Sequence, residues 1–205
     1  GQNGHIFNTR TKNLQKQLNK KFNNKFEYIF PDAPLILDKD EQTVENELIR
    51  GWLKYIKDKD KKFYELETVK YTGLAESIEN IYKLGDENQN INIIISFSQG
   101  TVILMLLIIL HLYKEDKYNF KKHFPNLKCI ICASGFIRPY PENEEFQDIK
   151  NDVLTNLEVF KSSSILFFFN FTSYKAAFAR SISVFKFDAS ASSSARFWRA
   201  VSASF

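Results

Sequence analysis

Apolar side chains recur at regular intervals near the start of the chain. Leu14, Leu18 and Phe22 are spaced four residues apart among lysines, glutamines and asparagines. This spacing predicts a helix over residues 11–22 that has one apolar stripe and a polar outer face. The aromatic run at residues 26–30 predicts a short strand, which ends because two prolines follow it and proline lacks a ladder donor.

Two further amphipathic patterns predict helices in the next part of the chain. Residues 42–57 repeat large apolar side chains at four-residue intervals and so place them on one helical face. A second helix is predicted over residues 74–82, with Thr72 as its N-cap and Glu76 in its first turn, where negative charge is favourable. Gly85 is predicted to end this helix.

The most apolar segments lie in the second half of the chain. Residues 92–97, 127–133 and 165–171 predict strands, and residues 100–113 predict a buried helix. Strands that alternate with helices are typical of an α/β fold, here a three-layer sandwich with a mostly parallel central sheet. The unbroken apolar run at residues 102–110 is too short to span a membrane, which takes about 20 predominantly apolar residues.

Composition favours a cytoplasmic globular protein. A chain of 205 residues is long enough for one domain with a sizeable core. Cys129 and Cys132 are too few for a disulfide framework, and no signal peptide precedes them, so we expect a reducing compartment. The net charge of +4 is not concentrated in a basic stripe, which argues against nucleic-acid binding. The chain begins without methionine, and we expect it to be a fragment that lacks its first strand.

Composition changes abruptly at residue 161. Residues 1–160 contain 4 serines, whereas residues 161–205 contain 12 serines, 9 phenylalanines and a single acid, Asp188. We therefore predict a main domain over residues 1–160 and an atypical segment over residues 161–205, with one strand at 165–171 and little order after it. Two origins of this segment stay open, a reading-frame or exon artefact and a genuine Ser/Phe-rich extension.

One pentapeptide has the pattern of a catalytic turn, Ser96-Phe97-Ser98-Gln99-Gly100. A strand and a helix flank it, and in this context the pattern G-x-S-x-G forms a sharp turn that lifts the serine hydroxyl clear of the sheet. Small residues are expected two positions before and after the serine, because strand and helix backbones crowd there. Ser96 replaces the usual first glycine. The alternative is a structural strand–helix turn without chemistry.

The pentapeptide is accompanied by segments that resemble one family over residues 1 to about 140. They are Gly1–Phe7, Glu27–Pro34, Arg50–Trp52, Tyr71–Ser77 and Ile130–Phe136. In order and spacing they are similar to the FSH-type serine hydrolases, which are esterase-like enzymes with the α/β-hydrolase fold. The Gly1 segment resembles the loop after that family's first strand, and the last segment resembles a strand that ends in Ser-Gly-Phe.

The resemblance implies a Ser–Asp–His triad. Ser98 corresponds to the nucleophile, and Gln99 would donate its backbone N–H to the oxyanion. The second oxyanion donor would be the residue before Gly1. The resemblance implies a small acyl ester as substrate. We find no phosphate loop or ligand cluster, and therefore expect neither a cofactor nor a metal, while the oligomeric state is not predicted.

The partners of the serine are missing from their usual places in the family. The histidines are His5, His111 and His123, and no histidine follows residue 123. His5 is expected to be a polar loop residue, and His111 lies near the end of a buried helix. In this fold the chain order is serine, acid, histidine, so none of the three takes the place of the base.

The acid is missing in the same way. It should follow the strand at residues 165–169, where Thr172 and Ser173 stand instead, and Asp148 and Asp152 come too early. Two hypotheses therefore remain: a serine hydrolase of the esterase or thioesterase type, and an inactive pseudo-hydrolase that serves as a binding protein. We predict that this 205-residue chain does not react with a fluorophosphonate at Ser98, because its serine lacks a base.

Overall fold

A computed structural model describes residues 3–23, 26–37, 49–55, 66, 68–133, 140–151, 165–170 and 185–186. It forms two compact units, one of residues 1–51 with 187–205 and the other of residues 52–186. The predicted domain boundary at residue 160 stays a prediction.

The first unit contains helix α1, Gly4–Lys21. It begins seven residues earlier than predicted, because Asn3 acts as N-cap and its side chain accepts a hydrogen bond from the N–H of Ile6 at 2.8 Å. His5 therefore lies on a helix and not in a loop, and this prediction was wrong. Leu14 is buried, as its place in the apolar stripe requires.

An extended aromatic segment follows α1 in the same unit. Residues 26–30 pair with no other strand in the described part of the chain, so the predicted strand is not formed. The rings of Phe26, Tyr28 and Phe30 nevertheless follow the two-residue period of extended chain, with centroids 6.2 and 6.4 Å apart. Asp32 accepts a hydrogen bond from the N–H of Gly4 at 2.7 Å, which fastens the segment to the start of α1.

The chain around residue 50 is extended rather than helical. Strand β1, Leu35–Ile36, pairs antiparallel with β2, Arg50–Gly51. In the second unit, β3, Lys54–Tyr55, pairs antiparallel with β5, Tyr71–Thr72. The helix predicted over residues 42–57 is therefore wrong where the chain is described. Residues 42–48 and 56–57 of that prediction lie outside the described residues.

Helix α2, Leu74–Glu87, has Glu76 in its first turn as predicted. Its N-cap is Gly73, whose φ of 80° suits glycine, whereas Thr72 belongs to β5. Gly85 does not end the helix. A Cβ at that position would lie 2.6 Å from the carbonyl oxygen of His123, so glycine allows α2 to pack closely against α4, Phe120–His123.

The main sheet of the second unit takes its strands, in spatial order, from residues 185–186, 165–170, 129–133 and 93–97. Strands β6, Ile93–Phe97, and β7, Cys129–Ala133, are parallel. Strand β9, Ile165–Asn170, is antiparallel to β7, and β10, Phe185–Lys186, is antiparallel to β9. The α/β class is supported. Of the three strand pairings in this sheet, one is parallel and two are antiparallel, so the expected mostly parallel arrangement is not found in it.

The core of the second unit is built around helix α3, Gln99–Tyr113. Every residue from Thr101 to His111 is buried, which is typical of a helix that is apolar on all sides. Near the end of the unit, β8, Tyr140–Pro141, pairs in parallel with β4, Thr68–Val69, and a 3₁₀ turn covers Glu144–Phe146. Among the described helices, none has both the length and the apolar character needed to cross a membrane.

Candidate active site

Ser98 lies in a sharp turn between β6 and α3. Its backbone has φ 52° and ψ −119°, a left-handed conformation that is costly for a residue with a Cβ. Among the described non-glycine residues, only Ser98 and Asn23 have a positive φ. Such strain costs about 1–3 kcal/mol and persists only where the surroundings impose it.

Backbone hydrogen bonds hold both sides of this turn. The N–H of Ser98 donates to the carbonyl oxygen of Ala133 at 3.0 Å, which ties the turn to the end of β7. The carbonyl oxygen of Ser98 accepts from the N–H groups of Thr101 and Val102 at 3.0 and 3.3 Å. Ser98 is exposed, so its hydroxyl stands at the carboxyl edge of the parallel pair and beside the N-terminus of α3.

Ser96, in place of the usual first glycine, is buried and hydrogen-bonded. Its hydroxyl lies 3.1 Å from that of Thr101. The Thr101 hydroxyl in turn donates to the carbonyl oxygen of Ala133 at 3.0 Å and accepts from the N–H of the same residue at 3.2 Å. The substitution is therefore accommodated by a buried hydroxyl pair, which sequence reasoning missed. The signal was Thr101, a polar residue at the head of an apolar run.

Gly100 has room for the Cβ of a small residue. A Cβ at this position would lie 3.8 Å from Nε1 of Trp52 and 3.9 Å from Cβ of Ser96, and both are ordinary contacts. An alanine would therefore fit at this position, and since alanine is itself small, the expectation of a small residue here stays a prediction.

Gln99 joins the turn to a distant segment through its side chain. Its Oε1 accepts from the backbone N–H groups of Trp52 and Leu53 at 2.7 and 3.3 Å, and its Nε2 donates to the carbonyl oxygen of Leu53 at 2.7 Å. The backbone N–H of Gln99 has no acceptor among the described residues. This N–H lies in the first turn of α3, where the helix dipole favours an anion.

The two histidines of this unit lie far from Ser98. His111 is 1% exposed and follows Ser98 by thirteen residues along α3, which corresponds to about 20 Å. His123 precedes β7 and so lies at the edge where β6 and β7 begin, whereas Ser98 follows the end of β6, about 15 Å further along the sheet. Neither is brought to the serine. His5 belongs to the other unit.

His123 has structural partners of its own. Its Nδ1 lies 2.9 Å from Oδ1 of Asp86, and its ring stacks on that of Tyr82 with centroids 4.0 Å apart. These side chains line a cavity between α2 and α4 that does not include Ser98. Burial lowers the pKa of His111, which keeps its imidazole neutral within the core.

The triad acid was expected directly after the strand that the structure shows as β9, and β9 runs antiparallel to β7. Asn170, the last residue of β9, is paired with Cys129, the first residue of β7. Strand β9 therefore ends at the edge of the sheet opposite Ser98. Thr172, Ser173, Asp152 and Asp188 lie outside the described residues.

The carboxylate of Asp148 forms an ion pair with a lysine side chain. It pairs with Lys114 at 2.7 Å, and this hydrogen bond lowers the pKa of its carboxyl. No described carboxylate is thus joined to the serine.

The cysteines do not form a reactive pair. Cys132 is fully buried and Cys129 half-buried, as expected for thiols three positions apart on one strand. Burial raises the pKa of Cys132 to about 12, and it raises the pKa of Cys129 as well. The described residues contain no cluster of His, Cys, Asp and Glu suited to a metal ion.

Comparison with known proteins adds one finding. The family model described as Serine hydrolase (FSH1) matches residues 1–179. This match passes the change in composition at residue 161 and includes β9, so it extends further than the resemblance that ended near residue 140. Neither a search of curated proteins nor a search of solved structures found a match.

Proposed function

Because the chain belongs to the serine hydrolase (FSH1) family, we propose that Ser98 is a nucleophile that attacks small acyl esters or thioesters. The family match confirms the resemblance found in the sequence. The observation that carries the role of Ser98 is its backbone, with φ 52° and ψ −119° between a parallel strand and a buried helix. That strained turn exposes the hydroxyl, and strain of this kind clusters at functional sites.

The proposed chemistry uses two groups of the turn. A base takes the Ser98 hydroxyl proton as the Ser98 oxygen bonds to the acyl carbon, and the carbonyl π bond breaks to leave an oxyanion. When the carbonyl re-forms, the bond to the leaving group breaks, and the alcohol or thiol departs with that proton while an acyl-serine remains. The backbone N–H of Gln99 donates to that oxyanion, supported by its place at the N-terminus of α3. A base that removes the hydroxyl proton is worth about 10²–10⁴ in rate.

A second candidate is a pseudo-hydrolase that binds a ligand or partner without turning it over. The positions of His111 and His123 favour it, since His111 lies near the C-terminal end of α3 and His123 lies at the edge of the sheet where β6 and β7 begin. The two candidates differ in one property, the presence of a base beside the serine, and labelling of Ser98 without an added base separates them.

The test is fluorophosphonate labelling of the 205-residue chain with and without added imidazole, using Ser98→Ala as control and mass spectrometry to locate the adduct. We expect no adduct in buffer and a Ser98 adduct when imidazole acts as external base. Labelling in buffer alone that disappears in Ser98→Ala would favour an active enzyme. No labelling at Ser98 under either condition would overturn the proposed nucleophile.

We also propose a cellular location, a substrate class and a domain boundary on chemical grounds. Two free thiols support a reducing, cytoplasmic location. The absence of a basic stripe in the sequence supports a small-molecule substrate rather than nucleic acid. We keep residues 1–160 as the hydrolase domain, followed by the Ser/Phe-rich segment 161–205.

A further inference from the structure

The Gln99 side chain makes long-range contacts that a surface glutamine does not make. Its carboxamide uses both its oxygen and its nitrogen on the backbone of residues 52–53, which lie 46 to 47 positions away in the chain. Gln89 offers a contrast, because its carboxamide bonds only to the carbonyl oxygens of Gly85 and Asp86 nearby. The Gln99 contacts thus connect the catalytic turn to a separate part of the unit.

The segment that receives Gln99 is itself firmly anchored. The carbonyl oxygen of Trp52 accepts a hydrogen bond from the hydroxyl of Ser77 on α2. Leu53 is 2% exposed and belongs to the core around α3. A side chain bound to these two residues is therefore attached to the fixed interior of the unit.

A strained turn needs constraints on both of its sides. On the N-terminal side, the N–H of Ser98 is bound to Ala133. On the C-terminal side, the next peptide carries the N–H proposed to bind the oxyanion, and the Gln99 carboxamide is the side-chain contact that fixes this residue. The carbonyl oxygen of that peptide is also held by the N–H groups of Thr101 and Val102, so without the carboxamide the peptide and the first turn of α3 can shift together toward a relaxed conformation.

We infer that the carboxamide of Gln99 is a positioning group. It keeps the turn at Ser98 in its strained conformation and keeps the backbone N–H of Gln99 directed at the oxyanion. The inference rests on the proposed role of Ser98. It assigns a function to the side chain of a residue for which the resemblance implies a role of the backbone N–H.

The first test compares Gln99→Met with Gln89→Met in imidazole-assisted labelling of Ser98. Methionine keeps the length of the side chain and removes its hydrogen bonds. We expect Gln99→Met to slow labelling at least about tenfold, since a misplacement of 1 Å can cost about 10²-fold. Gln89→Met is expected to label at the parent rate. Equal rates in the two variants would overturn the inference.

The second test is a rescue that depends on pH. In Gln99→Glu, a protonated carboxyl reproduces the donor and acceptor pattern of the carboxamide, whereas a carboxylate faces the Leu53 carbonyl with no proton to donate. The amide protection factors of Trp52 and Leu53 should therefore rise in this variant as the pH falls through the carboxyl pKa. Gln99→Met, compared at each pH, should show no such rise. If the carboxamide positions the turn, the rate of imidazole-assisted labelling of Ser98 in Gln99→Glu, divided by the parent rate at each pH, should rise together with this protection, whereas a merely structural contact would raise the protection alone.

The third test does not require a reactive serine. Ser98→Gly relieves a positive φ and should raise the folding equilibrium constant about fivefold in the parent chain. In the Gln99→Met background the gain should disappear, because the turn has already relaxed. An equal gain in both backgrounds would contradict the inference. If the parent chain does not label even with imidazole, the proposed nucleophile fails, and this comparison still decides the role of Gln99.

Discussion

Two glycines in the second unit differ in what surrounds them, and this difference predicts opposite effects of alanine. At Gly85 a Cβ would meet the carbonyl oxygen of His123 at 2.6 Å, so α2 and α4 must separate. We expect Gly85→Ala to cost about 1–3 kcal/mol. At Gly100 the contacts are ordinary, so Gly100→Ala should be neutral or gain up to about 1 kcal/mol from helix propensity. Urea unfolding of both variants measures the difference, and a loss of stability in Gly100→Ala would show that the turn is tighter than described.

The buried hydroxyl of Thr101 gives a second prediction for a single residue. Thr101→Val keeps the shape of the side chain but leaves the N–H of Ala133 without its acceptor, which costs about 1–3 kcal/mol. Thr101→Ser retains the hydroxyl and serves as the control. The free energy of unfolding measured in urea should be highest for the parent chain, lower for Thr101→Ser and lowest for Thr101→Val. If valine proved as stable as serine, the hydroxyl pair with Ser96 would contribute nothing to the turn.

At the scale of residues, sequence analysis predicted the turn but not what holds it. The pattern around Ser98 predicts its position because it depends on five adjacent residues and their flanking elements. The hydrogen bonds of Gln99 and Thr101 join residues 46 and 32 positions away. No local pattern contains those partners, and so the support of the turn was visible only in the folded chain.

At the scale of elements, the positions of β6, β7, α3 and β9 were predicted to within about two residues. Their apolar runs are long enough to stand out from the surrounding polar sequence. The direction of β9 was not predictable, because an apolar run indicates burial and says nothing about which way a strand runs. The start of α1 and the N-cap of α2 were missed for a different reason: α1 depends on the Asn3 side chain, and α2 is capped by Gly73 with its positive φ.

The burial of His111 in α3 predicts how stability depends on pH. Its pKa is lowered in the folded state, chiefly by desolvation, whereas the unfolded chain binds a proton near pH 6.5. Below that pH the unfolded state binds more protons than the folded state, so stability falls as the pH falls toward the folded pKa. His111→Gln should flatten the profile of unfolding free energy between pH 8 and pH 5. An identical slope in parent and variant would assign the pH dependence to other groups.

At the scale of the whole molecule, the place of the last strands predicts the effect of shortening the chain. Strand β9 pairs with β7 at four positions, and the family match includes it. A chain ended after Phe160 leaves that edge of β7 open, and open edges promote association between chains. We expect it to unfold at lower temperature and to form larger species in size-exclusion chromatography than a chain ended after Lys186. Equal behaviour of the two would show that the Ser/Phe-rich segment adds nothing to the sheet.

The burial of α3 on every side has a consequence for synthesis of the protein. Its nine consecutive apolar residues, Val102 to Leu110, are made before β7, the strand parallel to β6 in the finished sheet. At about 5–20 residues per second, the ribosome needs about 1–5 s to reach Ala133 after Leu110. During that time the nascent chain carries an apolar segment without its neighbouring strand, and a chaperone that binds such segments would protect it until β7 has been made.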